Sequence, residues 1–397
     1  LQSNTALTGV AISISVNKKY INACLTRIIG QAFLLTLNKS RMRPTIIDFL
    51  NASVEKYAAN PFLWEKTTDK FLPTTYVETK ILSHKVAAGL IKLGVKYGDK
   101  VALLSEGRNA WIYGELGILH AGAINVPLSI KLEESNDLIF RLIHSETKYV
   151  LVSGGQLKKI RLIAGALPEL IKIIVFDKQP SYEEKEIPLE DLMAQGEEYL
   201  LKHPDAIEKS VAKVKPDDVA TISYTSGTTA DPKGVMLTHR NYTANVEQAL
   251  TLMSIPETFR TLIILPLDHC FAHVAGFYSF MASGASVATV QAGKTGMETL
   301  KNIPINIKEI KPNLLLSVPA LAKSFKKNIE TSIRAKGPVI NGLFKYALNL
   351  SYSYNKEGFN KGKGFQILKK PLLALFDKIL FTKVREGFGG NLEYFIG

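Results

Sequence analysis

The chain has 397 residues, of which 46% are apolar and 21% charged, which fits a folded globular protein and excludes a disordered or fibrous one. The length allows two or three packing units. With only Cys24 and Cys270 there is no disulfide framework, which suits a reducing, cytoplasmic location.

The net charge is +13, unevenly spread. Residues 1–47 hold Lys18, Lys19, Arg27, Lys39, Arg41 and Arg43 and no acid; the first acid is Asp48. Such a start reads either as a transit peptide or as a read-through leader ahead of a start at Met42. A leader over 1–41 is the preferred expectation, because the targeting pattern is weak. The remaining positive excess is modest. It suits attraction to ATP, coenzyme A or an anionic membrane, hence peripheral membrane contact, and does not point to nucleic acid.

From about residue 100, β-rich apolar runs alternate with amphipathic stretches. Strands are expected in "KVALLSE" (100–106), "YVLVSG" (149–154), "IKIIVFD" (171–177), "VATISYT" (219–225), "TLIILPL" (261–267), "ASVATVQ" (285–291), "NLLLSVP" (313–319) and "LEYFIG" (392–397). Helical spacing falls in 109–123, 136–146 and 241–253. Apolar runs without strict alternation mean strands covered on both faces, hence layered α/β architecture with mostly parallel sheets.

Residues 178–215 read as a polar surface connection. From Cys270 to Gly293 there is no Lys, Arg, Asp or Glu, long enough for a membrane span. Its Ser, Ala and Gly content and the break at Ser283-Gly284 favour a buried helix followed by a buried strand. The basic, glycine-rich tract 355–370 reads as a solvated charge run on a surface excursion. "NLEYFIG" ends at Gly397 on a strand entering a turn, so the chain is expected to continue.

The chemistry concentrates in "YTSGTTADPKG" (224–234). Hydroxyls at Thr225, Ser226, Thr228 and Thr229 follow a buried strand. Gly227 and Gly234 would let backbone N–H groups turn toward an anion, and Lys233 adds a point charge. A helix opening at His239, Arg240 and Asn241 makes this a strand–loop–helix anion site. The usual P-loop spacing is absent, since Lys233 precedes its glycine. Three other patterns carry less. "AGKTG" (292–296) has Ala288 where a P-loop needs glycine. "HCFAH" (269–273) has metal-like histidine spacing without a third ligand, and "GASVA" (284–288) lacks the closing glycine of a nucleophile elbow.

"YTSGTTADPKGVMLTHRNY" closely resembles the phosphate-loop signature of the adenylate-forming (AMP-binding) enzyme superfamily. The stretches 94–129 and "LPLDHCFAH" (265–273) resemble further blocks of it. The stretches 307–327 and 383–397 resemble its long-chain acyl-coenzyme A synthetase branch, and the likeness runs from about residue 44 to the end. Ala230 stands where glycine is common, a tolerable change at negative φ.

The resemblance implies the large N-terminal domain of such an enzyme, with layered αβαβα subdomains (roughly 75–238 and 239–397) and the small C-terminal domain absent. It implies ATP-dependent activation of a long-chain fatty acid and transfer to coenzyme A, with Mg²⁺. By the same resemblance Thr225, Ser226, Gly227, Thr228 and Thr229 hold the β- and γ-phosphates, and Lys233 assists as a catalytic charge. Thr225 lies near the metal. His269 is an acyl-site and catalytic histidine, Phe271 and Gly276 line the acyl tunnel, and Gly397 opens the adenine segment. The aromatic-Gly-x-Thr-Glu block, the ribose-binding aspartate and the catalytic lysine domain are not in the chain, so it is expected to be inactive alone. Two alternatives stay open: a fatty acyl-AMP ligase or other acid-adenylating enzyme, and a non-catalytic nucleotide- or lipid-binding module.

Overall fold

The computed structural model describes residues 44–225, 232–293, 295–356 and 362–396. The chain divides into a compact unit at 43–306 and a second that includes 307–397.

In the first unit, helix α1 (Ile46–Tyr57) starts at a capping box in which Thr45 accepts from the Asp48 backbone N–H and Asp48 accepts from that of Thr45. Strands β1 (Pro61–Lys66) and β2 (Phe71–Thr75) form a hairpin, and a second capping box, Thr75 with Glu78, opens α2 (Tyr76–Lys92). There follow β3 (Lys100–Leu104), α3 (Asn109–His120), β4 (Ile124–Leu128), α4 (Ser135–His144), β5 (Thr147–Val152), α5 (Gly154–Ile163), β6 (Lys172–Val175) and β7 (Glu186–Pro188). The polar connection holds α6 (Leu189–Lys202) and α7 (Ala206–Val211), then come β8 (Val219–Thr225), β9 (Lys233–Thr238) and α8 (His239–Leu252).

These strands build a seven-stranded sheet in the order β7-β6-β5-β3-β4-β8-β9, parallel throughout except for the β8–β9 hairpin. Its central strands are apolar on both faces, as parallel strands between helices must be. One face packs Ala102, Leu104, Val150 and Val152 against Leu138 and Leu142 of α4 and Leu157 and Ile160 of α5. Toward the other face, Gly114 of α3 lies against Leu103 and Leu151.

The uncharged stretch is a π-helical segment (Ala272–Tyr278) running into α9 (Ser279–Ala282), and it is followed by β11 (Ser286–Thr289). Gly284, between helix and strand, sits at φ +74, where a Cβ would strike the Tyr57 ring. Strand β10 (Arg260–Ile263) pairs parallel with β11, and β11 with β1. Tyr76 ties α2 to this sheet: its ring stacks on Phe62 of β1 at 4.3 Å, and its hydroxyl donates to the Ala285 carbonyl at 2.8 Å. Helices thus cover both sheets, in the layered α/β arrangement expected from the sequence. Among the described residues no helix is long and apolar enough to cross a membrane.

Helix α10 (Gly296–Ile310) spans the boundary between units. In the second unit β12 (Leu314–Leu316) pairs parallel with β13 (Tyr394–Ile396). Between them lie α11 (Pro319–Arg334), α12 (Pro338–Asn355), a 3₁₀ turn (Gly364–Lys369), α13 (Lys370–Phe376), a π-helical turn (Asp377–Phe381) and α14 (Thr382–Gly387). Ile333, Phe344, Ala347, Phe376, Leu380 and Phe381 form its small helical core.

Candidate functional site

The hydroxyl-rich loop joins β8 to β9 as a hairpin connection. Thr225 and Lys233 are cross-strand partners at its mouth, both exposed. Ser226, Gly227, Thr228 and Thr229, and with them Ala230, lie outside the described residues, as does Gly397.

Two sequence expectations change here. The helix opening at His239 does not follow the loop directly, because the six-residue strand β9 intervenes. At about 3.3 Å per residue its N-terminus is roughly 20 Å along the strand, too far for its dipole to act at the loop. The helix terminus is therefore not beside the loop, and the described residues at the loop's mouth are Thr225 and Lys233. Nor does Gly234 turn an N–H into the loop: it lies inside β9, where an added Cβ would meet Ile222 at 3.0 Å and the Tyr224 ring at 3.4 Å. Its smallness serves cross-strand packing.

The end of β8 is braced from the side. The Tyr224 hydroxyl donates to the Arg141 carbonyl at 3.2 Å and meets His144 Nδ1 at 2.8 Å. The Arg141 guanidinium lies 5.7 Å from the Tyr224 ring centre. These contacts hold the strand that presents Thr225.

His269, Phe271 and Gly276 sit where the chain leaves β10 and enters the π-helical segment. His269 is exposed, and its Nδ1 accepts the Phe271 backbone N–H at 3.2 Å. An accepting Nδ1 carries no proton, so the neutral ring keeps Nε2–H as a donor. Phe271 is 40% exposed, whereas Gly276 is buried within the π turn. Asp268, beside them, has its carboxyl raised by burial.

Between β8 and this helix lies a buried polar group that the sequence did not reveal. Glu115 of α3 is fully buried; its Oε1 accepts Asn125 Nδ2 of β4 at 2.9 Å and the Tyr278 hydroxyl at 3.1 Å. His273 Nε2 lies 3.3 Å from the same oxygen. The His273 ring sits among Trp111, Tyr242 and Tyr278 at centroid distances of 5.2, 5.8 and 5.6 Å. Tyr242 of α8 in turn shares a 2.7 Å hydrogen bond with Thr221 of β8. Burial pushes the Glu115 carboxyl up to about 7 and the His273 imidazole down to about 3, so in mildly acid solution, about pH 4–6, both groups are neutral. The group is a neutral bridge from β8 through α8 to the acyl-block helix. The available signal was Glu115 itself, an acid in the apolar run "WIYGELGILHA".

The described cavity lined by Tyr97, Gly98, Asp218, Val219 and His239 lies at the start of β8, the end opposite Thr225. It is therefore separate from the β8–β9 loop.

Layered parallel sheets carrying a hydroxyl-rich hairpin define the fold of the N-terminal domain of adenylate-forming enzymes. The chain belongs to the AMP-binding enzyme family, whose sequence model matches residues 50–350. It is 28% identical over 367 residues to fatty acyl-CoA synthetase B of Dictyostelium discoideum, covering 88% of this chain and 51% of that protein. It is 26% identical over 357 residues to long chain acyl-CoA synthetase 4 of Arabidopsis thaliana, covering 87% and 51%. The chain thus spans about half the length of these relatives. In fold it is similar to a long-chain-fatty-acid-CoA ligase from Archaeoglobus fulgidus (TM-score 0.60, 20% identity, 73% of this chain and 54% of that one). It is also similar to the anthranilate CoA ligase AuaEII in complex with anthranoyl-AMP (TM-score 0.61, 22% identity, 70% and 51%).

Proposed function

We propose that the chain supplies the ATP-gripping and acid-binding part of a long-chain fatty acid–CoA ligase. Such an enzyme activates the acid as its acyl adenylate and passes the acyl group to the thiol of coenzyme A. The observation that carries the reading is the β8–β9 hairpin, with Thr225 opposite Lys233 across a loop of sequence Ser-Gly-Thr-Thr-Ala-Asp-Pro.

A fatty carboxylate, with a pKa of about 4–5, is ionised at neutral pH, so no general base is needed for its attack on the α-phosphate. The protein's task is to hold the triphosphate and offset its charge while pyrophosphate leaves. Lys233 contributes that charge, and Thr225, Ser226, Thr228 and Thr229 contribute hydroxyl donors. The Thr225 hydroxyl suits Mg²⁺, which prefers oxygen ligands and would offset phosphate charge when bound. His269 would donate through Nε2–H toward the acid, with Phe271 beside it on the acyl path and Gly276 in the helix behind. The long-chain class is supported by the synthetase relatives at 26–28% identity.

The test is calorimetric titration of the chain with Mg-ATP. Lys233→Ala should weaken binding about tenfold, as loss of one charged phosphate contact does; unchanged affinity would remove the hairpin's role. Palmitate should bind more tightly than anthranilate, and the reverse order would reassign the acid.

A further inference from the structure

The helical segment after Gly337 has more apolar surface than its core uses. Phe376 and Leu380 are buried, yet Leu372, Leu375 and Ile379, on the neighbouring stripe, remain exposed. On the 3₁₀ turn just before, Phe365 is 90% exposed and Leu368 75%, with Ile367 also in solvent. Isolated exposed apolar residues are ordinary, but six within 365–379 form a patch of the kind that marks an interaction site.

Lysines accompany it. Lys363, Lys370 and Lys378 are exposed, and none pairs with a carboxylate among the described residues. Lys369 donates to Ser353 Oγ at 2.8 Å. Asp377 is the one acid in residues 358–381, and both terminal nitrogens of Arg385 hold it, at 2.6 and 2.7 Å. Among the described residues of this stretch, exposed apolar side chains thus lie with ammonium groups that pair with no carboxylate, and its one acid, Asp377, is held by Arg385.

We propose that residues 363–379 dock onto an anionic lipid surface. Phe365, Ile367, Leu368, Leu372, Leu375 and Ile379 would enter the headgroup–acyl boundary, while the lysines, with long apolar stems, sit at the level of the phosphates. Charge complementarity favours this occupant over a second copy of the chain, because a two-fold contact through this face would set its lysines against each other. The proposal is independent of the ligase reading.

The experiment is co-sedimentation of the chain with phosphatidylcholine vesicles, with and without phosphatidylserine, in the absence of ATP and fatty acid. Partitioning should be at least tenfold stronger onto the anionic vesicles and weaken with salt. Lys363→Gln/Lys370→Gln/Lys378→Gln, which alters no core residue, should lose about fivefold per lysine and abolish the anionic preference. Phe365→Ser/Leu368→Ser should reduce binding to both vesicle types, with the melting temperature confirming the fold. Lys233→Ala should bind vesicles as the parent does, which separates this proposal from the ATP site. Equal binding to neutral and anionic vesicles, or variants that bind like the parent, would overturn it. So would a concentration-dependent dimer dissociated by Leu368→Ser with vesicle binding unaltered. Failure to bind by a form with the relatives' additional length would also overturn it, since the chain itself would then cover the face.

Discussion

Thr221 and Tyr242 share one hydrogen bond at zero and 2% exposure, so neither hydroxyl has water to fall back on. Removing one partner strands the other, at a cost of about 1–3 kcal/mol; removing both leaves little more to lose. Thr221→Val and Tyr242→Phe should therefore each lower the urea midpoint, while the double variant loses clearly less than their sum. Strictly additive losses would mean the two hydroxyls do not depend on each other. The bond matters beyond stability because Tyr242 packs edge-on against His273 and Tyr278, on the helix that follows His269 and Phe271. His269 offers a contrasting case: it is exposed, so His269→Ala should leave the urea midpoint within about 0.5 kcal/mol of the parent. If His269 serves the acid, the same variant should weaken palmitate binding severalfold.

Helix α2 shows how closely elements can approach when glycine is placed for it. A Cβ on Gly196 of α6 would sit on the Lys85 carbonyl oxygen of α2, and one on Gly117 of α3 would strike Val86 of α2. Gly196→Ala should accordingly destabilise the chain by about 1–3 kcal/mol, against the helix-propensity gain of up to about 1 kcal/mol that alanine usually brings. A thermal melt with no downward shift would show that α2 and α6 have room to separate. The close approach at Gly196 was not legible in "AQGEE", since its cause lies in a helix over a hundred residues away. What was legible were elements whose signal is local. The apolar run of β8 is recovered as 219–225, and the break at Ser283-Gly284 does separate helix from strand. Strand β9 was missed because "KGVMLT" is short, half-polar and starts in the glycine-bearing loop; only pairing with β8 makes it a strand. That omission is why the sequence suggested a helix terminus at the loop. The paired strands β1 and β2, with Pro61 and Pro73 in them, were missed for a similar reason.

The larger unit buries several titratable groups in neutral form, and this gives the whole molecule a definite pH response. His120 Nδ1–H donates to the Leu116 carbonyl at 2.6 Å, and His239 Nδ1 accepts the Ile46 N–H at 3.3 Å. Burial lowers both to about 4, and His273 to about 3. Each binds its proton more readily when unfolded, so its stability contribution is complete above about 6.5 and is lost as pH falls toward the folded value. Glu115 runs the other way. Burial raises it in the folded chain to about 7 from the usual 4.5, so its contribution is complete below the lower figure and is lost as pH rises through the higher. Between about pH 5 and 6 these histidines, with His84 lowered by burial to about 3 as well, outweigh the one carboxyl, and stability should rise with pH. Glu115→Gln keeps the shape and an oxygen for Asn125 and Tyr278 but removes the opposing titration. Its stability should climb more steeply than the parent's across that window, by about 1.4 kcal/mol per pH unit, with the extra slope ending near pH 7. Urea midpoints at half-unit intervals from pH 5 to 8 would measure it. Parallel curves for parent and variant would mean that Glu115 titrates alike in the folded and unfolded chain. The bridge between β8 and the acyl-block helix would then be charged rather than neutral at working pH.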